Sequence, residues 1–406
     1  MSEHMALENL TVLDLTRVLA GPFCTMMLAD MGANVIKIEV PTGGDDTRSY
    51  PPFRKENLNG VRESCYFANI NRNKKGITLN LKAPEGKEIF KELVKQADIV
   101  VENYRPGVMD KLGLGYDVLK EINPRIIYAA VSGFGCYGPY HLRPGYDILA
   151  QAMGGMMSIT GPKGGSPTRA GSALGDMLGG LNCTIGILAA VNARNITGKG
   201  QRVDVSLMDA MIAATENTAL KYIESETGEI PAPMGNRYAA VSPYDGFKCK
   251  DGTIIIAAGN QKLYEKLCNE ILERPDMITD PRFVDMPGRL ANQDDIQVVI
   301  EDRLKDLTME EATNLVLSHG IPAGPILNIK QILEDPHVKE REMFVEMDHP
   351  TLGKVTVNGC AIKLMDTKPS IRKPAPQLGE DNKAIFEGML GMSEEEFNDL
   401  HEKKVF

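Results

Sequence analysis

The sequence predicts an α/β protein built around a parallel sheet, and three observations carry that expectation. Over the first 130 residues, short apolar runs alternate with longer stretches of helical character. The repeated strand–helix–strand unit is long enough for a right-handed crossover between parallel strands. The chain has 406 residues, 43% apolar and 25% charged, which is ordinary globular composition and enough for two domains or one large domain with an insertion.

Taken in order, Leu10–Leu15 reads as a buried strand and TRVLAGP (16–22) as a turn. PFCTMMLADMG has the length and composition of a helix ending at Gly32, and Val35–Glu39 is the next strand. In APEGKEIFKELVKQA (83–97), Pro84 opens a helix with apolar residues at 89, 90, 93 and 94. Asp98–Glu102 and Arg125–Ser132 follow as strands. From Asp176 to Asn195 the residues are mainly small and apolar and the stretch closes with TGKG, predicting a long buried helix with a glycine stop. A strand feeding another helix comes next, in VDVSLMDAMIAATENTALKYIESETG. EIPAPMGNRYAAVSPYDG is rich in Pro, Gly and Tyr and reads as a linker into a smaller domain. That domain holds the hairpin-like YDGFKCKDGTIIIAAGN and helical stretches around 261–273 and 292–318.

Several function classes are disfavoured. A net charge of −10 argues against nucleic acid, because phosphate binding needs clustered Lys and Arg. No uninterrupted apolar run approaches the roughly 20 residues that span a bilayer, so no membrane partner is expected. The polar start MSEHMALENL reads as neither signal nor transit peptide. Seven scattered cysteines with no C-x-x-C pair favour free thiols in a reducing cytoplasm. Six histidines without a close pair give no metal site. The first predicted strand is followed by LTRVLAGPFC, with no G-x-G-x-x-G; G-x-x-x-x-G-K-[ST] and G-x-S-x-G are also absent.

Basic residues gather instead at expected loop ends of the first domain: Arg48, Arg72, Lys74, Lys75, Lys82, Arg105, Lys111 and Arg143. VENYRPG (101–107) and NRNKKGITLNLK (71–82) are expected to carry cations to the carboxyl ends of strands, where open α/β sheets bind ligands. The functional reading is a phosphate-bearing ligand; the plainer one is a solvated surface. GSALGDMLGG (171–180) sets a lone acid, Asp176, among glycines and apolar residues. It has two compatible readings. It caps a helix, or it is a nucleophile towards a thioester, with Gly171, Gly175, Gly179 and Gly180 leaving room for two substrates in turn.

With these motifs in place, the whole chain resembles the class III CoA-transferases, the CaiB/BaiF group. The likeness runs through VLDLTRVLAGPFCTMMLADMGANVIKIEVPTGGDDTR, VENYRPG, RPGYDILAQAMGG, ALGD, TGKGQRVDVSLMDA and GIPAGPILNIKQILEDP, in that order. The resemblance implies an interlocked homodimer with a Rossmann-like large domain and a smaller α+β domain. It assigns residues 1–225 to the first part of the large CoA-binding domain. Residues 226–330 form the linker and small domain, and 331–406 a return linker and C-terminal segment packing on the large domain. It also implies coenzyme A as substrate, no metal, and Asp176 as the residue that takes up the acyl group. For CoA binding it implies Val18, Leu19 and Ala20 in the first loop, Leu79 and Lys82 over the nucleotide end, and Asn103, Tyr104 and Arg105 after the next strand. Arg143 and Tyr146 match the pantetheine path, and Lys111 a looser basic position; Asp147 stands where several transferases have Glu.

Two departures narrow the reading. The formyl-CoA transferase branch has a glycine run where this chain has MGNRYAAVSPYDG, which speaks against oxalate and formyl-CoA as the pair. The α-methylacyl-CoA racemases of the same fold have His-Asp where this chain has Tyr146-Asp147, and Tyr, with a pKa near 10, is a poor α-proton base. The expectation is therefore a CoA-transferase moving CoA from an acyl-CoA to a carboxylic acid. A racemase-type isomerase and a non-catalytic acyl-CoA-binding protein are the alternatives.

Overall fold

The computed structural model describes residues 4–54, 62–226 and 228–406. The chain divides into two compact units, one of residues 1–156, 169–220 and 336–406, the other of residues 157–168 and 221–335.

The first unit is organised by a six-stranded sheet of β1 (Thr11–Asp14), β2 (Asn34–Glu39), β3 (Lys75–Thr78), β4 (Ile99–Glu102), β5 (Ile127–Ser132) and β6 (Arg202–Ser206). The spatial order is β3-β2-β1-β4-β5-β6 and every pairing is parallel. This is the Rossmann order, with a topological switch between β1 and β4. Successive residues of β1 serve opposite faces: Val12 lies in one core, Leu13 in the other. The Val12 face is covered by the helices Ala20–Asp30 and Leu174–Thr197, through Cys24, Leu28, Cys183 and Ile187. The Leu13 face is covered by helix Pro84–Gln96, with Phe90, Leu93 and Val94, and by residues 384–406, where the mutually tilted rings of Phe386 and Phe406 pack with centroids 4.5 Å apart. Strands buried on both sides must be apolar almost throughout, which is why they are visible as runs.

The strands expected at 10–15, 35–39, 98–102 and 125–132 and the helices expected at 22–32, 83–97 and 176–195 appear within about two residues of their expected ends. The helix expected after β6 is two short ones, Leu207–Ala213 and Thr218–Ile223, and the stretch expected around 292–318 is two helices, Gln293–Leu304 and Met309–Ser318. Two further expectations fail. Lys75–Thr78, expected as part of a cationic loop, is the edge strand β3. The long helix Leu174–Thr197, expected to be buried, is buried on one face only: Gly175, Gly179, Gly180, Cys183, Thr184, Ile187, Ala190 and Arg194 face inward at helical spacing. Ile185 is 64% and Ile196 79% exposed. Among the described residues this is the one helix long and apolar enough to cross a bilayer. Here its small-residue face packs on Ala20–Asp30, β5 and β6. Gly180 is required there, since a Cβ would stand 2.6 Å from the Ala20 carbonyl oxygen.

The second unit is a three-stranded antiparallel sheet, β7 (Tyr244–Lys248), β8 (Thr253–Ala257) and β9 (Ala323–Pro325), in that order. Phe247, Ile254 and Ile256 pack on helices Gln293–Leu304 and Met309–Ser318 through Ile300, Ala312 and Val316. In the first unit a further hairpin, β10 (Phe344–His349) with β11 (Gly353–Asn358), joins Ala68 in a small separate core.

Candidate active site

The carboxyl ends of β1, β4 and β5 open onto a cavity of about 330 Å³ at the switch point of the sheet. After β1 the chain makes a tight turn through Arg17, Val18 and Leu19 and enters a helix at Ala20. Asn103, Tyr104 and Arg105 follow β4; Ser132 and Gly133 follow β5; Arg143 to Tyr146 form the next part of the wall. Asp176 completes it from the first turn of helix Leu174–Thr197.

Asp176 does not cap its helix. It is the third helical residue, and among the described residues no group donates a hydrogen bond to its carboxylate. The capping work falls to Asp147, at the start of helix Asp147–Met153: its Oδ1 accepts the Gly175 N–H at 2.7 Å. Gln151 Nε2 donates to both Asp147 oxygens at 3.1 and 2.9 Å, and Gln151 Oε1 accepts from Ala170 N at 2.9 Å. Burial first, and the Asp147 charge second, push the Asp176 carboxyl up to about 7. A helix N-terminus pulls the other way, but typically by only about 0.3–1 kcal/mol, less than one pKa unit. Asp176 is thus a poorly solvated carboxylate in the cavity wall, half ionised near neutrality. Its charge, after burial, helps push the Tyr66 hydroxyl up to about 12, which keeps that phenol protonated.

The cations sort into two groups. Arg105 and Arg143 are exposed on the cavity wall, Arg143 lying over the Tyr140 ring at 3.8 Å. Arg72, Lys74 and Arg48 are structural, contrary to the expected ligand-facing cluster. Arg72 is buried and pairs with Asp30 at 2.7 Å; Lys74 is buried and pairs with Asp14 at 2.9 Å. Arg48 pairs with Glu39 at 2.7 Å and lies over Phe67. Buried cations such as Arg72 and Lys74 must be paired, and the partners of Arg72, Lys74 and Arg48 lie 42, 60 and 9 residues away in sequence. The glycines also differ from expectation. A Cβ at Gly179 would stand 2.3 Å from Leu207 Cδ2, so Gly179 and Gly180 serve helix packing rather than substrate access; Gly171 is open.

These features can be set against known proteins. The model for CoA-transferase family III matches residues 7–382. The chain belongs to that family. It is 42% identical over 92% of its length to a succinyl-CoA:mesaconate CoA-transferase of Haloarcula hispanica, covering 94% of that protein. It is 38% identical over 98% of its length to the human succinyl-CoA:glutarate CoA-transferase, covering 90% of it. A CaiB/BaiF family protein from Brucella suis superposes with a TM-score of 0.83 at 36% identity, over 95% of this chain and all of that one.

In this CoA-transferase nine of the residues singled out from sequence share the cavity: Val18, Leu19, Ala20, Asn103, Tyr104, Arg105, Arg143, Tyr146 and Asp176. Three are not on its wall. Leu79 has its side chain in the core, and Lys82 and Lys111 are exposed elsewhere. Arg17, Asp46 and Ser132 line the cavity without having been singled out. Arg17 pairs with Asp46 at 2.5 Å, and the Ser132 hydroxyl, buried, has no partner among the described residues. Ser132 was findable, since it ends a predicted strand whose carboxyl end faces the ligand side. The Arg17–Asp46 pair was not, because it joins loops 29 residues apart.

Proposed function

We propose that the enzyme moves CoA from succinyl-CoA, or a closely related acyl-CoA, to a short dicarboxylic acid, with Asp176 as the covalent carrier. The observation that carries this reading is the state of Asp176: a carboxylate in the cavity wall, with no hydrogen-bond donor among the described residues and made more basic by burial. Such a group is a better nucleophile than a solvated carboxylate. Donor and acceptor classes follow the names of the two relatives, both of which pair succinyl-CoA with a dicarboxylate.

An Asp176 oxygen attacks the thioester carbon, the C–S bond breaks, and an aspartyl–acyl anhydride and CoA thiolate result. The thiolate attacks the aspartyl carbonyl, the donor acid leaves as carboxylate, and Asp176 holds CoA as a thioester. The acceptor carboxylate then attacks that carbonyl and expels the thiolate. The thiolate finally attacks the acceptor acyl carbon and frees Asp176. No proton is gained or lost over the cycle, and each intermediate conserves the acyl energy, so water is the competitor to be excluded. Holding thiolate and anhydride side by side supplies the rate.

Arg105 and Arg143 are proposed to bind phosphate groups of CoA, Val18 to Ala20 and Tyr104 to border its pantetheine, and Asn103 to support that wall. Tyr146, 67% exposed, borders the same path. Lys82 and Lys111 are assigned to the nucleotide end, Leu79 serving Lys82 only as a core anchor. Arg169, half exposed and 4.0 Å from Asp147 Oδ2, is proposed to take the acceptor's second carboxylate. A homodimer is proposed as the working unit, supported by exposed Ile185 and Ile196 on the long helix. The reading is tested by Asp176→Ala: transfer of CoA from succinyl-CoA to mesaconate, glutarate or a related acid is expected to vanish while CoA binding persists. An Ala variant that still transfers CoA overturns it.

A further inference from the structure

Val18 lies on the cavity wall with φ +67°, a left-handed conformation that a β-branched residue adopts only under constraint. Residues held in this way cluster where surrounding structure over-determines them. Around Val18 it does so with side chains. Asn103 Oδ1 accepts the Arg17 N–H at 2.8 Å, and Asn103 Nδ2 donates to the Arg17 carbonyl at 2.7 Å. Lys37 Nζ donates to the Thr16 carbonyl at 2.9 Å and to Asp45 Oδ2 at 2.9 Å. Asp45 Oδ1 in turn accepts the Val18 N–H at 3.3 Å. Four backbone groups of three consecutive residues are thereby fixed by side chains from β2, the loop after it and the loop after β4. Lys37 and Asp45 are fully buried, so this ion pair is shielded from solvent screening. From the other side Thr16 packs on Gly21, where a Cβ would stand 2.3 Å from Thr16 Cγ2.

We infer that Asn103 is a positioning residue rather than a ligand-binding one: it clamps Arg17 so that Val18 stays left-handed and the Arg17–Ala20 turn keeps the shape of the acyl-CoA wall. Both ends of its amide are engaged on the backbone of one residue, and only this amide orientation satisfies them. The buried Lys37–Asp45 pair is the second jaw of the clamp. The inference rests on the reading that this cavity takes the acyl-CoA.

The test compares Asn103→Ala with the double variant Asn103→Ala/Val18→Gly, Asp176→Ala serving as the check on the cavity itself. Glycine enters the left-handed region freely, so it removes the strain that the clamp opposes. Asn103→Ala is expected to raise the KM for succinyl-CoA by about tenfold with kcat changed by less than about threefold. Adding Val18→Gly is expected to recover about threefold or more of that KM. Had Asn103 bound the substrate directly, its removal would weaken binding whatever residue stood at position 18. If Asn103→Ala fails to fold, Asn103→Asp, which keeps the acceptor and loses the donor, is compared with its own Val18→Gly double by the same criterion. An unchanged KM in the single variant, or a double variant no better than the single, overturns the inference. An active Asp176→Ala enzyme overturns the cavity reading instead.

Discussion

Asp176→Ala should change stability in a way that depends on pH, and the structure sets both sign and size. Burial and the Asp147 charge raise the carboxyl from 3.8 to about 7 in the folded chain. Between those two values the folded protein holds a proton that the unfolded chain has released. Folding is therefore progressively penalised as pH rises from about 4, and the penalty is complete above about 7. A shift of about 3 units at 1.36 kcal/mol each gives a ceiling of about 4 kcal/mol. Asp176 retains some solvent exposure, which lowers the expectation to about 1–3 kcal/mol. Removing the carboxyl lifts this penalty, so relative to wild type the Ala variant should gain little at pH 4 and about 1–3 kcal/mol at pH 8. Urea denaturation at fixed protein concentration, from pH 4 to pH 8, measures the difference directly. A difference that is flat across this range, or that shrinks as pH rises, would refute the claim that this carboxylate is held against its ionisation.

Four further outcomes follow from the same geometry. Because the nucleophile must be ionised, kcat/KM should rise with pH through a midpoint near 7. Asp147→Asn keeps an acceptor for Gly175 N–H but removes a neighbouring charge, so it should move that midpoint down, by about half a unit or more; an upward move contradicts the account. Lys74→Met strands the buried Asp14 carboxylate and should cost about 3–5 kcal/mol of unfolding free energy, whereas exposed Lys120→Met, which breaks a surface pair with Asp117, should leave the denaturation midpoint nearly unchanged. Arg169→Ala should raise the KM for a dicarboxylate acceptor roughly tenfold, near 1.4 kcal/mol, with little effect on a monocarboxylate of equal length; equal effects on both remove its assignment.

What can be read from the chain depends on how local each cause is. The central strands and the Pro84 helix are legible because residues buried on both faces leave continuous apolar runs. The edge strand β3 is hidden by Arg72, Lys74 and Lys75, whose charge reads as surface. Two of those cations are buried only because Asp30 and Asp14 wait for them across the fold. Asp176 stands out as a lone acid, and its family motif fixes its neighbourhood. The Asp147 cap does not stand out, because the Gly175 N–H it serves lies 28 residues away. Gly179 and Gly180 are placed at the right helix and given the wrong task, since sequence does not say whether a missing Cβ faces a substrate or Leu207.

The account's central claim is that residue 176 forms a covalent bond during each cycle. Wild-type protein given succinyl-CoA without acceptor, then denatured and digested, should yield the Asp176 peptide carrying CoA through a hydroxylamine-sensitive thioester. The Asp176→Ala protein should yield none. An unmodified Asp176 peptide from enzyme that transfers CoA at full rate, or the adduct found on another residue, would contradict it.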